Sequence, residues 1–377
     1  MTAPVPFVPG LELSRRFFHE AVRPLVDAAA PGIGYSAARL GSGSEVLGFD
    51  TPRSRDHEWG PRLELFLRPQ DLARHATAIG DRLATGLPKT FLGHPTHFAA
   101  TAEAGIRVMA ATDGPVRHAV DITDPGTWFT GRLGFDPGRG VSLTDWLSAP
   151  AQRLAEVTSG AVFHDGLGAL ATARARLAWY PHDLWLHVLA CQWRRISQEE
   201  AFVGRCGEVG DELGAAVVAA RLVRDLMRLC LLMDRQYPPY GKWLGSAFAR
   251  VPGAAGLTPV LRAVLAAAGP GTRERHLGTA YESVAAGHNR LGLTDPVDPA
   301  TRPYHGRPFR VLRAERFADA LTARITDPAL RALPPGGAVD QFVDSTEVLT
   351  RPAVARAVVR SGAGRPGGPS GAQYRPQ

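Results

Sequence analysis

The chain has 377 residues, 45% of them hydrophobic, and its 43 basic and 36 acidic residues leave a net charge of +7. That length exceeds the usual single domain, so two domains are expected. No run reaches the roughly 18 apolar residues that cross a bilayer, and the three cysteines, Cys191, Cys206 and Cys230, are odd in number and far apart, which excludes a disulfide framework and a paired-cysteine zinc site.

The most apolar stretch, Ala215 to Met233, is interrupted by Arg221, Arg224, Asp225 and Arg228. Met1 to Gly10 lacks the basic start and apolar core of a secretion signal. These features predict a cytoplasmic protein without membrane contact. The positive charge is spread along the chain, with no dense basic tract. It favours an anionic ligand without distinguishing a nucleotide from RNA. Lys89 and Lys242 are the only lysines, so arginine supplies the other 41 of the 43 basic residues. A retained lysine suggests a place where a compact ammonium is needed.

In chain order, Leu11 to Ala30 carries apolar residues at helical spacing and stops at Pro31-Gly32. Tyr35 to Leu40 predicts a strand, and "LELFL" (Leu63 to Leu67) alternates as a second. Gln70 to Leu83 predicts a helix. Gly105 to Ala111 and Val116 to Ile122 predict two more strands, joined at Asp113-Gly114-Pro115 by a hairpin-like turn. After Val141 the pattern turns helical: Ala149 to Phe163, Pro181 to Arg205, Glu208 to Gln236, Gly241 to Arg250, Thr258 to Ala268 and Gly271 to Ala286. The fold class expected is α+β, a mixed sheet with helices followed by an all-helical domain. The expected boundaries are residues 1–145, residues 146–355, and a disordered tail of residues 356–377, rich in Gly, Pro, Ser and Arg.

Between the first two strands runs "GSEVLGFDTPRSRDHEW", Gly43 to Trp59. In an extended segment residues i and i+2 share a face. Asp56 and Glu58 would then lie side by side, with His57 on the other face. Adjacent carboxylates repel unless a cation lies between them, and magnesium with oxygen ligands is the common solution. Upstream, the small Gly43-Ser44 pair lets backbone N–H groups approach a phosphate closely. Together these features describe a nucleotide–magnesium site.

This pattern resembles the nucleotidyltransferase superfamily of polymerase-beta-like fold. That family has Gly-Ser after the first strand, a spacer, then D-x-D or D-x-E on the next strand. Gly43-Ser44, the spacer of residues 45–55 and Asp56-x-Glu58 match it. More closely, the chain resembles a bacterial family known as domain of unknown function 4037. That likeness runs from "LELSRRFF" through "DHEWGP" to "QWRRISQEEAFVGRCGEVGDELG" and "YPPYGKWLG". The superfamily resemblance implies two magnesium ions held by Asp56, Glu58 and a third carboxylate from a later strand. Asp121 in "HAVDITD" is the choice for the third, with Glu64 as competitor. It also implies that Gly43 and Ser44 cradle a nucleoside triphosphate whose nucleoside monophosphate passes to a hydroxyl or amine. The acceptor could be a small molecule, a protein side chain or an RNA end. The family usually has an apolar residue between the two acids; His57 stands there instead.

The helical half would close over the nucleotide. Arg195 or Arg205 is expected to touch the triphosphate, and Glu199 or Glu200 to take the acceptor proton. In "QYPPYGKWLG" Lys242 is expected to contact phosphate, with Tyr237, Tyr240 and Trp243 as stacking faces. Two other functions fit the sequence. One is a nucleotide-binding regulatory module of the same fold without catalysis, which the irregular DHEWGP segment favours. The other is an RNA-binding protein, which rests on charge alone.

Overall fold

The computed structural model describes residues 7–103 and 105–363. They divide into two compact units. The first extends to Asp145 and includes Arg153–Ala178; the second is Trp146–Gln152 together with the chain from Trp179 onward.

In the first unit the opening apolar stretch forms α1 (Gly10–Phe17), one π-helical turn (Phe18–Val22) and α2 (Arg23–Ala29). Strand β1 (Tyr35–Arg39) is buried throughout, and β2 (Arg62–Leu67) nearly so. Helix α3 (Pro69–Gly86) follows. Short strands β3 (Thr90–Phe91), β4 (His94–Pro95), β5 (His97–Ala100) and β6 (Arg107–Ala110) form two small hairpins, β3–β4 and β5–β6. Strand β7 (Ala119–Thr123) and β8 (Ala161–Asp165) complete a four-stranded mixed sheet in the order β7-β2-β1-β8. β2 is antiparallel to β1 and parallel to β7, and β8 is antiparallel to β1.

The sheet has two distinct faces, as the side-chain period of two requires. Leu63, Leu65 and Leu67 of β2 join Ala37, Val120, Phe17, Val22, Ile79 and Leu83 in one core, between the sheet and α1 to α3. Glu64 and Phe66 point the other way. Phe66 meets Trp128 of α4 (Pro125–Leu133) edge to face at 5.6 Å.

Four expectations are corrected. The hairpin about Asp113-Gly114-Pro115 does not form: β6 pairs with β5, and β7 crosses to lie parallel to β2. That pairing places Val120 on the core face beside Leu63 and Leu65. The helix expected over residues 149–163 stops early. After α5 (Leu143–Ser148), α6 (Ala151–Thr158) ends before Gly160, whose φ is +70° and where a Cβ would lie 2.1 Å from the carbonyl oxygen of Arg39. The chain then enters β8, so residues 153–178, assigned from sequence to the second domain, belong to the first unit. Residues 356–363, expected within a disordered tail, continue a helix that starts at Pro352 and buries Ala355 and Val359. The rest of that tail lies outside the described residues.

In the first unit the last helix is α7 (Ala169–Leu177). The second unit is built on α8 (His182–Glu199), which buries Leu184 through Trp193 without a break. Around it lie α9 (Phe202–Glu208), α10 (Glu212–Met233), α11 (Gly241–Phe248), α12 (Ala254–Ala266), α13 (Pro270–Arg290) and α14 (Glu315–Arg324). Trp193 stacks on Phe317 at 4.6 Å and donates its indole N–H to His288 Nδ1 at 3.1 Å. Among the described residues no helix is long and apolar enough to cross a membrane.

Candidate functional site

The loop after β1 carries the candidate site. Gly41 has φ +81° and Gly43 +144°, conformations that L side chains avoid. A Cβ at Gly41 would lie 2.7 Å from Arg132 Cζ. At Gly43 it would lie 2.5 to 2.7 Å from Glu45 Oε2, Arg62 Nη2 and Arg39 Nη2. The glycines thus let the backbone lie directly on three guanidinium groups. The Gly41 N–H is bound to the Glu156 carbonyl. Among the described residues, the N–H groups of Ser42, Gly43 and Ser44 have no hydrogen-bond acceptor.

Beneath the loop runs a buried ion-pair network. Arg39, 2% exposed, donates to Glu45 Oε1 at 2.9 Å and to Glu64 Oε1 at 2.8 Å, and it also binds the carbonyls of Leu40 and Ser42. Arg62 donates to the same Glu45 oxygen at 2.6 Å and to the Ser42 carbonyl at 3.3 Å. Glu64 Oε2 accepts the Leu40 N–H at 2.9 Å. Glu45 Oε2 is buried without a hydrogen-bond partner among the described residues. Burial works against the charge of Glu45, but Arg39 and Arg62 outweigh it and hold the carboxyl below its ordinary range.

Asp56 and Glu58 are not on a strand. Asp56 ends a 3-10 helix (Pro52–Asp56), is exposed, and accepts the His57 N–H. Glu58 has φ +45° and turns toward β6: its N–H binds the Arg107 carbonyl, and its carboxylate accepts the backbone and side-chain N–H groups of Arg107 at 2.9 to 3.1 Å. Burial raises the Glu58 carboxyl, and Arg107 outweighs this to hold it below its usual value. Strand pairing cannot run back through Gly60-Pro61, because Gly60 (φ +141°) lies against Met109 and Phe98. The alternation that sequence assigns to Asp56-x-Glu58 belongs instead to Arg62-Leu63-Glu64.

Asp121 is on β7, exposed, and directly opposite Glu64 in the parallel register. Asp121 and its sequence competitor Glu64 are thus cross-strand neighbours. Asp56, Glu58 and Asp121 are not gathered as ligands: among the described residues no group of three or more His, Cys, Asp or Glu is placed to hold a metal ion. As folded, this donor set does not fit two magnesium ions. Glu45, Glu58 and Glu64 already have guanidinium partners, and Arg62 occupies the position two residues before Glu64 that a first strand carboxylate would fill.

The remaining predicted residues lie in the second unit. Glu199 is paired with Arg221 at 2.6 Å, and Arg195 with the buried Asp225 at 3.3 Å. Glu200 is buried and accepts the N–H groups of Leu312, Arg313 and Ala314, clamping the entry to α14. Gln198, Glu200 and Phe202 line a cavity with Tyr304, His305 and Arg313. Lys242 is the second residue of α11, with its Nζ 5.0 Å from the Trp243 ring. Tyr237 packs in the core against Trp179 and Tyr180, whereas Tyr240 is exposed.

A family model described as Domain of unknown function (DUF4037) matches residues 146–244. The match takes in Arg153–Ala178 of the first unit, with β8 and α7, and continues in the second unit as far as α11, a smaller part of the chain than the sequence likeness implies. A solved structure described as a nucleotidyltransferase-like protein from Exiguobacterium sibiricum 255-15 is similar at 13% identity and a TM-score of 0.30, over 83% of this chain and 89% of that one. No curated protein matches.

Arg39, Glu45 and Arg62 were not singled out from sequence. Arg62 was legible in part: it alternates with Glu64 on one strand. Arg39 and Glu45 leave no such sign, because their partners come from other elements.

Proposed function

We propose that the first unit binds a nucleoside triphosphate, with its phosphates on the loop Ser42 to Ser44. The observation that carries this reading is the loop itself: three successive N–H donors without an internal acceptor, above the guanidinium groups of Arg39, Arg62 and Arg132. Successive backbone N–H groups in a glycine-dependent turn form a concavity suited to anions. The nucleoside part of the reading rests on the resemblance of the Gly-Ser loop and the carboxylates after it to nucleotidyltransferases.

A second reading, nucleotidyl transfer, is favoured by Asp121, an exposed carboxylate beside Glu64 on the sheet. In that reaction an acceptor hydroxyl or amine bonds to the α-phosphorus. The bond to the bridging oxygen breaks, pyrophosphate leaves, and Asp121 takes the acceptor's proton. The acceptor would be a small molecule, a protein side chain or an RNA end.

Calorimetric titration with a panel of nucleoside triphosphates tests the first reading. Saturable one-site binding supports it, and no binding of any triphosphate by folded protein removes it. Pyrophosphate release from a mixture of acceptors, present in the wild type and lost in Asp121→Ala, tests the second.

A further inference from the structure

We propose that the guanidinium groups of Arg39 and Arg62 do in this chain what divalent cations do between clustered carboxylates, so that triphosphate binding at the loop needs no divalent cation. The triphosphate part rests on the reading above; the arginine part does not.

Carboxylates brought close together need positive charge between them. Here three are close to the loop, and each has that charge from an arginine. Glu45 Oε1 lies between Arg39 Nη2 at 2.9 Å and Arg62 Nη2 at 2.6 Å. Glu64 is held by Arg39 at 2.8 Å, and Glu58 by Arg107 at 3.0 Å with Arg62 Nη1 at 3.6 Å. A divalent cation entering this cluster would have to displace a guanidinium where the Arg39 side chain is 3% and the Arg62 side chain 11% exposed. It would also have to leave that guanidinium without its partner, which is costly in a buried place. The same two arginines reach the loop directly: both donate to the Ser42 carbonyl, and both lie within 2.7 Å of the point where a Gly43 Cβ would be. Guanidinium matches phosphate as well as carboxylate geometry. Glu45 and Glu64 balance the charges of Arg39 and Arg62, and Glu45 Oε2 lies as near Gly43 as they do, so the positive charge in excess beside the loop is Arg132, 2.7 Å from the point where a Gly41 Cβ would be.

The test has two arms. In the first, thermal unfolding of the nucleotide-free protein is followed with EDTA and with millimolar magnesium or manganese. The wild type should melt at the same temperature in all three. Arg62→Gln removes one guanidinium and leaves Glu45 and Glu58 less neutralised, so it should gain a manganese-dependent rise in melting temperature. Arg62→Lys keeps the charge without the forked contacts, and should show no manganese-dependent rise. A wild-type melting temperature that rises with either metal would overturn the arginine assignment, even if Arg62→Gln does not fold. In the second arm, triphosphate affinity is compared in EDTA and in magnesium. Agreement within about twofold, under 0.5 kcal/mol, is expected. A loss of about tenfold or more in EDTA overturns it. If no triphosphate binds in either buffer, the nucleotide reading fails, while the melting arm still decides the role of the arginines.

Discussion

Glu64 and Asp121 face each other across the parallel pair β2–β7, yet one is buried beneath Arg39 and the other is exposed. The contrast separates a structural carboxylate from one that the proposed transfer would use. Removing the Glu64 carboxylate leaves the enclosed Arg39 and Arg62 to share the single carboxylate of Glu45, and leaves the Leu40 N–H without its acceptor. Glu64→Ala should therefore cost about 3–5 kcal/mol in urea unfolding. Asp121→Ala should stay within about 0.5 kcal/mol of the wild type, while abolishing any pyrophosphate release. Equal destabilisation by the two substitutions would contradict this division.

Gly43→Ala tests the loop. Its φ of +144° excludes an alanine without strain, and the new Cβ would collide with Glu45, Arg62 and Arg39 at once. Strain of this kind costs roughly 1–3 kcal/mol. The loop has two ways to relieve it, by moving off the guanidinium groups or by lifting Ser42 to Ser44. Either way triphosphate affinity should fall by about tenfold or more, with circular dichroism unchanged. Gly32 also has a positive φ but nothing within 4 Å of its Cβ position. Gly32→Ala is the control, and should leave affinity intact.

The sheet and its first core were readable because their signals are local. Leu63, Leu65 and Leu67 alternate within one strand, and Phe18, Val22 and Val26 recur at helical spacing. The geometry of the candidate site was readable in part. The Gly-Ser loop stood out, and so did Asp121, since a charge among apolar strand residues has few explanations. Asp56-x-Glu58 misled because alternation requires an extended backbone, and Glu58 instead takes a positive φ to bind Arg107, 49 residues later. Arg39 was invisible for a related reason: its partners Glu45 and Glu64 lie 6 and 25 residues away on separate elements. No window short enough to show periodicity spans that network. Strand β8 was missed because its residues continue the apolar spacing of α6, and only pairing with β1 makes them a strand.

Glu200 gives the second unit a pH dependence. Burial pushes its carboxyl up to about 7 from 4.5, against the N–H groups of Ala314, Leu312 and Arg313. A raised acid contributes its full stability below pH 4.5, where both states are protonated. Between pH 4.5 and 7 the unfolded chain has lost the proton and the folded one keeps it, so that contribution declines as pH rises. Relative to Glu200→Gln, the wild type should lose on the order of 3 kcal/mol across this window. A flat difference would mean that the three N–H groups hold the carboxylate ionised.

His288 works in the opposite sense. It is 1% exposed, and burial lowers its ring to about 4 from 6.5. Trp193 donates its indole N–H to Nδ1, so Nδ1 must be the acceptor and the proton sits on Nε2, 3.3 Å from Thr294 Oγ1. A second proton on Nδ1 would confront the Trp193 N–H and break that bond. Above pH 6.5 neither state is protonated and the contribution is complete. As pH falls from 6.5 to 4 the unfolded chain takes a proton that the folded chain refuses, and stability is lost. Relative to His288→Gln, whose side-chain oxygen keeps an acceptor for Trp193, the wild type should lose on the order of 3 kcal/mol over that range. Nitrogen shifts of the ring should show a neutral imidazole protonated on Nε2 at pH 5. A charged ring in folded protein at that pH would contradict the assignment. Because Glu200 and His288 act with opposite signs between pH 4.5 and 6.5, the wild-type profile there should be flatter than that of either single variant.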